Sequence, residues 1–333
     1  MSIPNEFQAM RVHRNADKVV SNRMETLKLE QLGEGNVIIA AEYSSVNYKD
    51  ALGATGTGKI QRSFPLVPGI DVSGRVISSD DPHISVGQKV LVTGCGIGES
   101  HDGGYSEIVR VNSDWVIPLG ERLSTRDAMI FGTAGFTAGL CLARMLQNGQ
   151  KPEQGPIVVT GASGGVGSLA VSMLATEGFE VIAVSGKDSQ VDRLKALGAS
   201  QVVKPDDLDL GQRPLESVRF AGAIDNVGGS LLEGIIRHTD LWGNIASVGL
   251  AADFKFSNTV MPFILRGVSI LGISSNNCPR PLREHVWQML TNKWRPQDLE
   301  SFVSREVGLT ELNDVFHALL ERKFSGRAIV KIS

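Results

Sequence analysis

The segment that most restricts the fold is the run Ile157-Val158-Val159-Thr160, which passes directly into Gly161-Ala162-Ser163-Gly164-Gly165-Val166-Gly167 and then into an apolar stretch, Ser168 to Thr176, that stops near Gly178. A short apolar strand that turns at once into a helix through four glycines is the opening of a βα unit in a parallel sheet. Glycines let the backbone turn tightly and approach a pyrophosphate, and the helix start offers unpaired N–H groups and partial positive charge to an anion. The segment therefore reads as a dinucleotide-binding turn.

The sequence around it supports that reading. After Ser124, apolar strands alternate with helical stretches, with strands expected at Ile157-Val158-Val159, Glu180 to Val184, Gln201-Val202-Val203, Gly222 to Asp225, Asn244 to Val248 and Val268 to Leu271. Six such strands make a complete Rossmann domain with a doubly wound parallel sheet. From Met10 to about Pro118 the texture differs: short apolar runs such as Val37 to Ala40, Val72 to Val76, Lys89 to Val92 and Glu107 to Val109 are separated by Gly, Pro and Asp clusters. That pattern is strand-rich and barrel-like. Beyond the Rossmann strands, amphipathic helices at Arg283 to Leu290 and Glu311 to Glu321 precede a last strand, Arg327 to Lys331, and this stretch is expected to return to the first domain.

The choice of dinucleotide is made at the end of the second Rossmann strand, where NAD sites carry Asp or Glu for the ribose 2′-hydroxyl. Here the strand ends in Ser185-Gly186-Lys187. A hydroxyl donor and a cation fit a 2′-phosphate better than a free diol, so NADPH is the expected cofactor. Arg193 or Lys204 is a candidate second cation.

Composition excludes other classes. A net charge of -3 with 21% charged residues leaves no electrostatic footprint for nucleic acid. Cys95, Cys141 and Cys278 lack CxxC spacing, and none of the six histidines has metal-ligand spacing, so no metal centre is expected and a cytoplasmic location is. Met1 to Arg14 lacks a signal-peptide pattern, and no stretch of about 20 uninterrupted apolar residues offers a membrane span.

Five further segments occur in order: Ser45-Val46-Asn47-Tyr48-Lys49-Asp50, Pro68-Gly69-Ile70-Asp71, Asp102 to Glu107, Gly132 to Ala138 and Thr160 to Gly167. Together they resemble the medium-chain dehydrogenase/reductase superfamily. The run Val260-Met261-Pro262-Phe263-Ile264-Leu265-Arg266-Gly267-Val268 and the terminal Gly326-Arg327 narrow the resemblance to its YhdH/YhfP-type quinone oxidoreductases, which include acrylyl-CoA reductases. The resemblance covers nearly the whole chain. It implies an α/β protein in which a GroES-like β-rich catalytic domain (1–125 and 271–333) flanks a Rossmann NADP(H)-binding domain (126–270), assembled as a homodimer through the edge strand at Val268 to Leu271. It also implies cofactor contacts at Tyr48, Ser163, Gly164, Gly165, Val166, Ser185, Gly186, Lys187, Leu250, Ile264 and Ser275. Pro205 departs from the Arg or Tyr that often stands after the third strand, leaving Lys204 as its substitute.

Zinc-dependent members carry Cys where this chain has Asn47 and a His-Glu pair where it has Ile70-Asp71, so zinc-independent chemistry is expected. Without a Lewis acid, hydride goes to a carbon that is already electrophilic, in a conjugated C=C such as an acrylyl-CoA-like enoyl thioester, or in a quinone. Tyr48 is the candidate hydrogen-bond or proton donor and Asn47 the candidate that orients a small-molecule substrate. Arg266 and Arg327 are expected first in surface or interdomain salt bridges, with anchoring of a CoA phosphate or acyl carbonyl as the alternative. A quinone- or enone-detoxifying reductase without CoA specificity, and a non-catalytic NADPH-binding sensor, remain the competing readings.

Overall fold

The computed structural model describes residues 3–333; Met1 and Ser2, where the leader and domain readings begin, lie outside the described residues. The chain divides into two units, Met1–Thr133 with Asp298–Ser333, and Ala134–Gln297.

The first unit is built on a sheet ordered Val303–Val307, Arg327–Lys331, Val37–Val46, Asp71–Ser79, Lys89–Thr93, Ile117–Pro118, with Ile108–Val111 pairing Val37–Val46 off that path. Both expected features are present: the strand-rich N-terminal segment, and the return of the last strand, which pairs antiparallel with Val37–Val46. Alternation places Val37, Ile39 and Ala41 in a core with Val72, Val76, Val90, Val92, Val109 and Val111. A second core, with Val46, Ala51, Ala54, Val330 and Tyr105, is covered by Leu312, Val315 and Phe316 of the helix Leu312–Leu320. Two strands, Phe7–Arg14 and Val20–Leu27, were not expected from the sequence. They pair antiparallel with each other, and Met10 N donates to Tyr105 O at 2.9 Å and Val12 N to Leu66 O at 2.8 Å.

The second unit carries a six-stranded, wholly parallel sheet in the order Gln201–Val203, Val181–Val184, Ile157–Thr160, Phe220–Asp225, Thr239–Ser247, Ser269–Gly272. In order of appearance this is 3-2-1-4-5-6, the Rossmann arrangement. Every residue of Ile157–Thr160 and of Phe220–Asp225 is buried, as expected for central parallel strands covered on both faces.

The unit boundaries differ from the sequence expectation, falling at 133/134 and 297/298. The helix Arg280–Thr291 accounts for the later second boundary. It buries Val286, Trp287 and Leu290, and the Trp287 ring stacks on Phe136 of the same unit at 6.0 Å. The segment Thr125–Gln147 is apolar enough to cross a membrane by length and composition, with a mean hydropathy of 1.4, but 83% of that stretch is buried within the protein itself.

That segment is broken at Gly132, whose φ of 50° and ψ of −155° are not helical. A Cβ there would lie 2.6 Å from Ser45 Oγ and 2.7 Å from both Arg327 Nη2 and Asp71 Oδ2. Those side chains are buried and mutually hydrogen-bonded, so they cannot swing aside. Gly132→Ala is expected to cost about 3 kcal/mol, from positive φ and displaced polar contacts together. Urea unfolding checks this, with a lowered midpoint at unchanged slope as the expected result.

Candidate active site

At the carboxyl edge of the second unit's sheet, Gly161 takes φ of 60° and reverses the chain leaving Ile157–Thr160. Gly164 N donates to Gly161 O at 3.0 Å, and the helix Gly165–Thr176 follows without a side-chain cap. The helix starts three residues earlier than expected, so Gly165, Val166 and Gly167 form its first turn. Their N–H groups are among the four that no helix can satisfy internally, and no acidic side chain stands in the first turn. Gly167 is a steric requirement: a Cβ there would lie 2.4 Å from Gly161 O.

The strand register brings the discriminating residues to the same edge. Thr160 pairs with Val184, and Ala162 N donates to Val184 O at 3.1 Å. Ser185 therefore begins one residue beyond the neighbouring strand, beside the glycine turn. It is buried, and its Oγ accepts from Lys187 N at 3.2 Å. Lys187 is half-buried, and that burial lowers its pKa. Burial also lowers the pKa of Arg193, while Lys204, exposed, is paired with Asp188 at 2.9 Å, which raises its pKa. Pro205 opens a single turn after Lys204.

Leu250 and Ser275 follow the carboxyl ends of Thr239–Ser247 and Ser269–Gly272, whose last residues are paired, Ser247 with Gly272. Ile264 differs. Its helix, Met261–Arg266, enters the last strand from the amino end, and Ile264 is 71% exposed.

Sequence reading missed the group that braces this edge. Asp225 is fully buried, accepts from Thr160 Oγ1 at 2.7 Å and from Gly228 N at 2.9 Å, and has its pKa raised by burial. Asn226 Nδ2 donates to Thr160 O at 2.8 Å, so the first and fourth strand ends are tied together next to Gly161. Both residues stand at a strand end in a polar pair, which was the available signal.

In the first unit, Tyr48 opens the helix Tyr48–Ala54 and is exposed, whereas Asn47 beside it is held in a buried cluster. Asn47 Nδ2 donates to Asp71 Oδ2 at 2.7 Å and to Asp50 Oδ2 at 3.2 Å, and its Oδ1 accepts from Arg327 Nη1 at 3.2 Å. Asp71 also accepts from Ser45 Oγ at 2.5 Å, Thr133 N at 2.9 Å and Thr133 Oγ1 at 2.6 Å. Arg327 donates through Nη2 to Ser45 Oγ at 2.7 Å and through Nε to Ile130 O at 2.9 Å, and burial lowers its pKa. Two expectations are corrected here. Arg327, 2% exposed, is enclosed by its own unit and unavailable to a CoA phosphate. Arg266 is likewise spent, donating to the carbonyls of Glu216, Arg237 and Thr239 rather than forming a salt bridge or meeting an anion.

Burial, and after it the charge of Asp71, pushes the Asp50 carboxyl up to about 7, against the lowering effect of hydrogen bonds from Asn47 and Ile70. An unfolded aspartate releases its proton near the ordinary 3.8. Between those values the folded state keeps a proton that the unfolded state has lost. The associated stability is therefore complete below about pH 4 and is lost as pH rises to about 7. The unfolding midpoint of the wild type should fall relative to Asp50→Asn across that window and run parallel to it above about pH 8. Parallel curves throughout would mean that Asp50 ionises as an ordinary aspartate.

Comparison with known proteins agrees with this geometry. Residues 33–121 match the alcohol dehydrogenase GroES-like domain, and residues 165–292 the zinc-binding dehydrogenase family. The putative quinone oxidoreductase YhfP of Bacillus subtilis is 43% identical over 98% of this chain and 99% of its own length. The probable acrylyl-CoA reductase AcuI of Escherichia coli is 43% identical over 98% of this chain and all of its own. Among solved structures, E. coli YhdH with bound NADPH superposes with a TM-score of 0.94 at 43% identity, covering 98% of this chain and 100% of that one. B. subtilis YhfP with NAD bound superposes with a TM-score of 0.95 at 42% identity, covering 99% and 100%. This chain belongs to the medium-chain dehydrogenase/reductase superfamily of oxidoreductases, in the branch that holds the YhfP-type quinone oxidoreductases and the acrylyl-CoA reductases.

Proposed function

We propose that the protein is an NADPH-dependent, zinc-independent reductase of an activated C=C, with an acrylyl-CoA-like enoyl thioester as the preferred class of acceptor. The observation that carries this reading is the uncapped glycine turn at the carboxyl edge of a 3-2-1-4-5-6 sheet, with Ser185 and Lys187 in place of a carboxylate at the next strand end. The unpaired N–H groups of Gly165, Val166 and Gly167 suit a pyrophosphate, and Ser163, Gly164, Gly186, Leu250 and Ser275 stand at strand ends along the same edge. A half-buried ammonium at Lys187, penalised by desolvation, gains from a 2′-phosphate dianion more than from a diol. Tyr48 and Ile264 complete the proposed contacts, although strand register does not bring Ile264 to that edge.

Zinc does not fit the residues at hand. Asp71 is the one carboxylate at the Asn47 and Ile70-Asp71 positions, both of its oxygens already accept, and neither Cys nor His joins them. Bound NADPH supplies a hydride. When the β-carbon of an enoyl thioester receives it, the C=C electron pair moves onto the α-carbon and thioester oxygen, and the oxygen needs a donor. Tyr48 Oη is the proposed donor to that oxygen, and the α-carbon then takes a proton from water, which completes addition of hydride and proton across the C=C. The Asn47 amide N–H groups point at Asp71 and Asp50, so Asn47 serves by holding Tyr48 rather than by meeting the substrate.

A quinone as acceptor is the second reading, favoured by the name of the YhfP relative. A homodimer through the edge strand Ser269–Gly272 is part of the proposal, supported by exposed Trp242, Val260, Ile264 and Leu265 on the same unit, and gel filtration tests it. A cytoplasmic setting accords with three free cysteines.

Lys187→Ala should raise the Kd for NADPH by about tenfold or more and that for NADH by less than about threefold, since a phosphate contact is lost only from the former. Equal losses would remove Lys187 from the 2′-phosphate position. With NADPH, turnover of acrylyl-CoA should exceed that of free enones and simple quinones. The reverse order would shift the assignment to quinone or enone reduction, and tight NADPH binding without any turnover would make the protein a sensor.

A further inference from the structure

We propose that Asp71 and Arg327 are positioning residues that lock the Asn47 amide in one orientation and thereby fix the helix start that carries Tyr48. This rests on the reading of Tyr48 as the hydroxyl donor. The orientation follows from charge alone. The amide nitrogen of Asn47 lies between carboxylate oxygens of Asp71 and Asp50, and its oxygen faces the guanidinium of Arg327. Turning the amide over would set its oxygen against the Asp71 carboxylate and its NH2 against the Arg327 guanidinium, so a single state exists.

The lock reaches the backbone as well. Asn47 N donates to Asp50 Oδ2 at 2.9 Å, which places the residue preceding the helix at φ −120° and ψ 159° and sets the direction in which Tyr48 leaves. Ser45, Asp50, Asp71 and Arg327 are each no more than 2% exposed, and Tyr48 is 41% exposed. Its charged core is thus closed to solvent, while Asn47, Thr133 and the residue after Asn47 lie nearer the surface. Buried ionic groups of this kind are weak contributors to stability, since apolar replacements of similar volume are often as stable or more so. What they supply is a unique geometry, and here the geometry they determine is that of Asn47.

The test exchanges the partners. Asn47→Asp and Asp71→Asn each destroy the complementarity, whereas the double variant restores one carboxylate and one amide facing each other at unchanged net charge. Each single variant should lower kcat by about tenfold or more while the Kd for NADPH, to which Tyr48 is one proposed contact among several, rises by much less; the double variant, in which position 47 still faces Asp50 and position 71 still faces Ser45 and Thr133, should recover part of the loss. A readout independent of turnover is the 13Cζ NMR signal of Tyr48, one of three tyrosines with Tyr43 and Tyr105, assigned with Tyr48→Phe. It should be a single narrow line in the wild type and the double variant, and broadened or split in the singles. If a single variant does not fold, Arg327→Lys, which keeps the charge but not the fork, should show the same loss in milder form. Lowered thermal stability with wild-type kcat and an unchanged Tyr48 line would overturn the proposal and leave the cluster purely structural. If the wild type turns over no enoyl thioester, enone or quinone, the functional reading fails, and the Tyr48 line still decides whether Asp71 and Arg327 position it.

Discussion

The first unit depends on one carboxylate. Asp71 opens a central strand and collects donors from Ser45 at the end of the adjacent strand, from Asn47 at a helix start and from Thr133 beyond the helix break at Gly132. Arg327, from the last strand of the chain, joins through Ser45 and Asn47. Moving such groups out of water costs several kcal/mol each, and removing either partner would leave an uncompensated charge. The cluster is tolerated because nearly every donor and acceptor in it is used. It also serves topology: a domain made from both ends of a chain needs a contact that specifies how the ends meet, and apolar strands alone slip in register more readily than a hydrogen-bonded charge cluster does.

The second unit is organised on a different principle. Its functional edge is made of backbone dipoles rather than charges, with unpaired N–H groups at the start of Gly165–Thr176 and the neutral turn Ser185-Gly186 beside it. Parallel strands in continuous register deliver these turns to one side, so the geometry follows from sheet order. The buried charge there, Asp225, holds strand ends together through Thr160 and Gly228 and does not face outward. An edge built this way presents an anion with donors already oriented, and Lys187 adds a cation beside the ion pair of Lys204 with Asp188.

These two principles explain what the sequence disclosed. The two central parallel strands are buried along their whole length and the other four carry short apolar runs, so all six were legible, and their alternation with helices implied the sheet. Phe7–Arg14 was not legible, because Gln8, Arg11 and His13 break up its apolar residues while the adjacent buried pair Ala9 and Met10 breaks the alternation. The glycine turn was legible because backbone conformation restricts residue type. The Asp71 cluster was not, since its members come from opposite ends of the chain and each, taken alone, resembles a surface polar residue. Arg327 was accordingly expected in a salt bridge or at a ligand, and the helix Arg280–Thr291 was assigned to the wrong unit because amphipathicity reports that a face is buried and not what buries it.

Under the zinc-independent chemistry proposed above, the absence of Cys and His at the Asn47 and Ile70-Asp71 positions changes what the rest of the first unit has to provide. A Lewis acid polarises a carbonyl by charge, over a range of geometries, and tolerates some looseness in its surroundings. A phenol donates a single hydrogen bond whose strength falls steeply with misalignment, so it contributes only where its direction is fixed before the reaction starts. Tyr48 is exposed, and nothing in its own exposure would fix it. If Tyr48 is the donor proposed above, its rigidity comes from beneath, from Asn47 held between Asp71, Asp50 and the Arg327 guanidinium. On this view the cluster does not substitute for a metal's charge. Under the proposed chemistry it substitutes for a metal's tolerance, by making the proposed Tyr48 donor point in one direction.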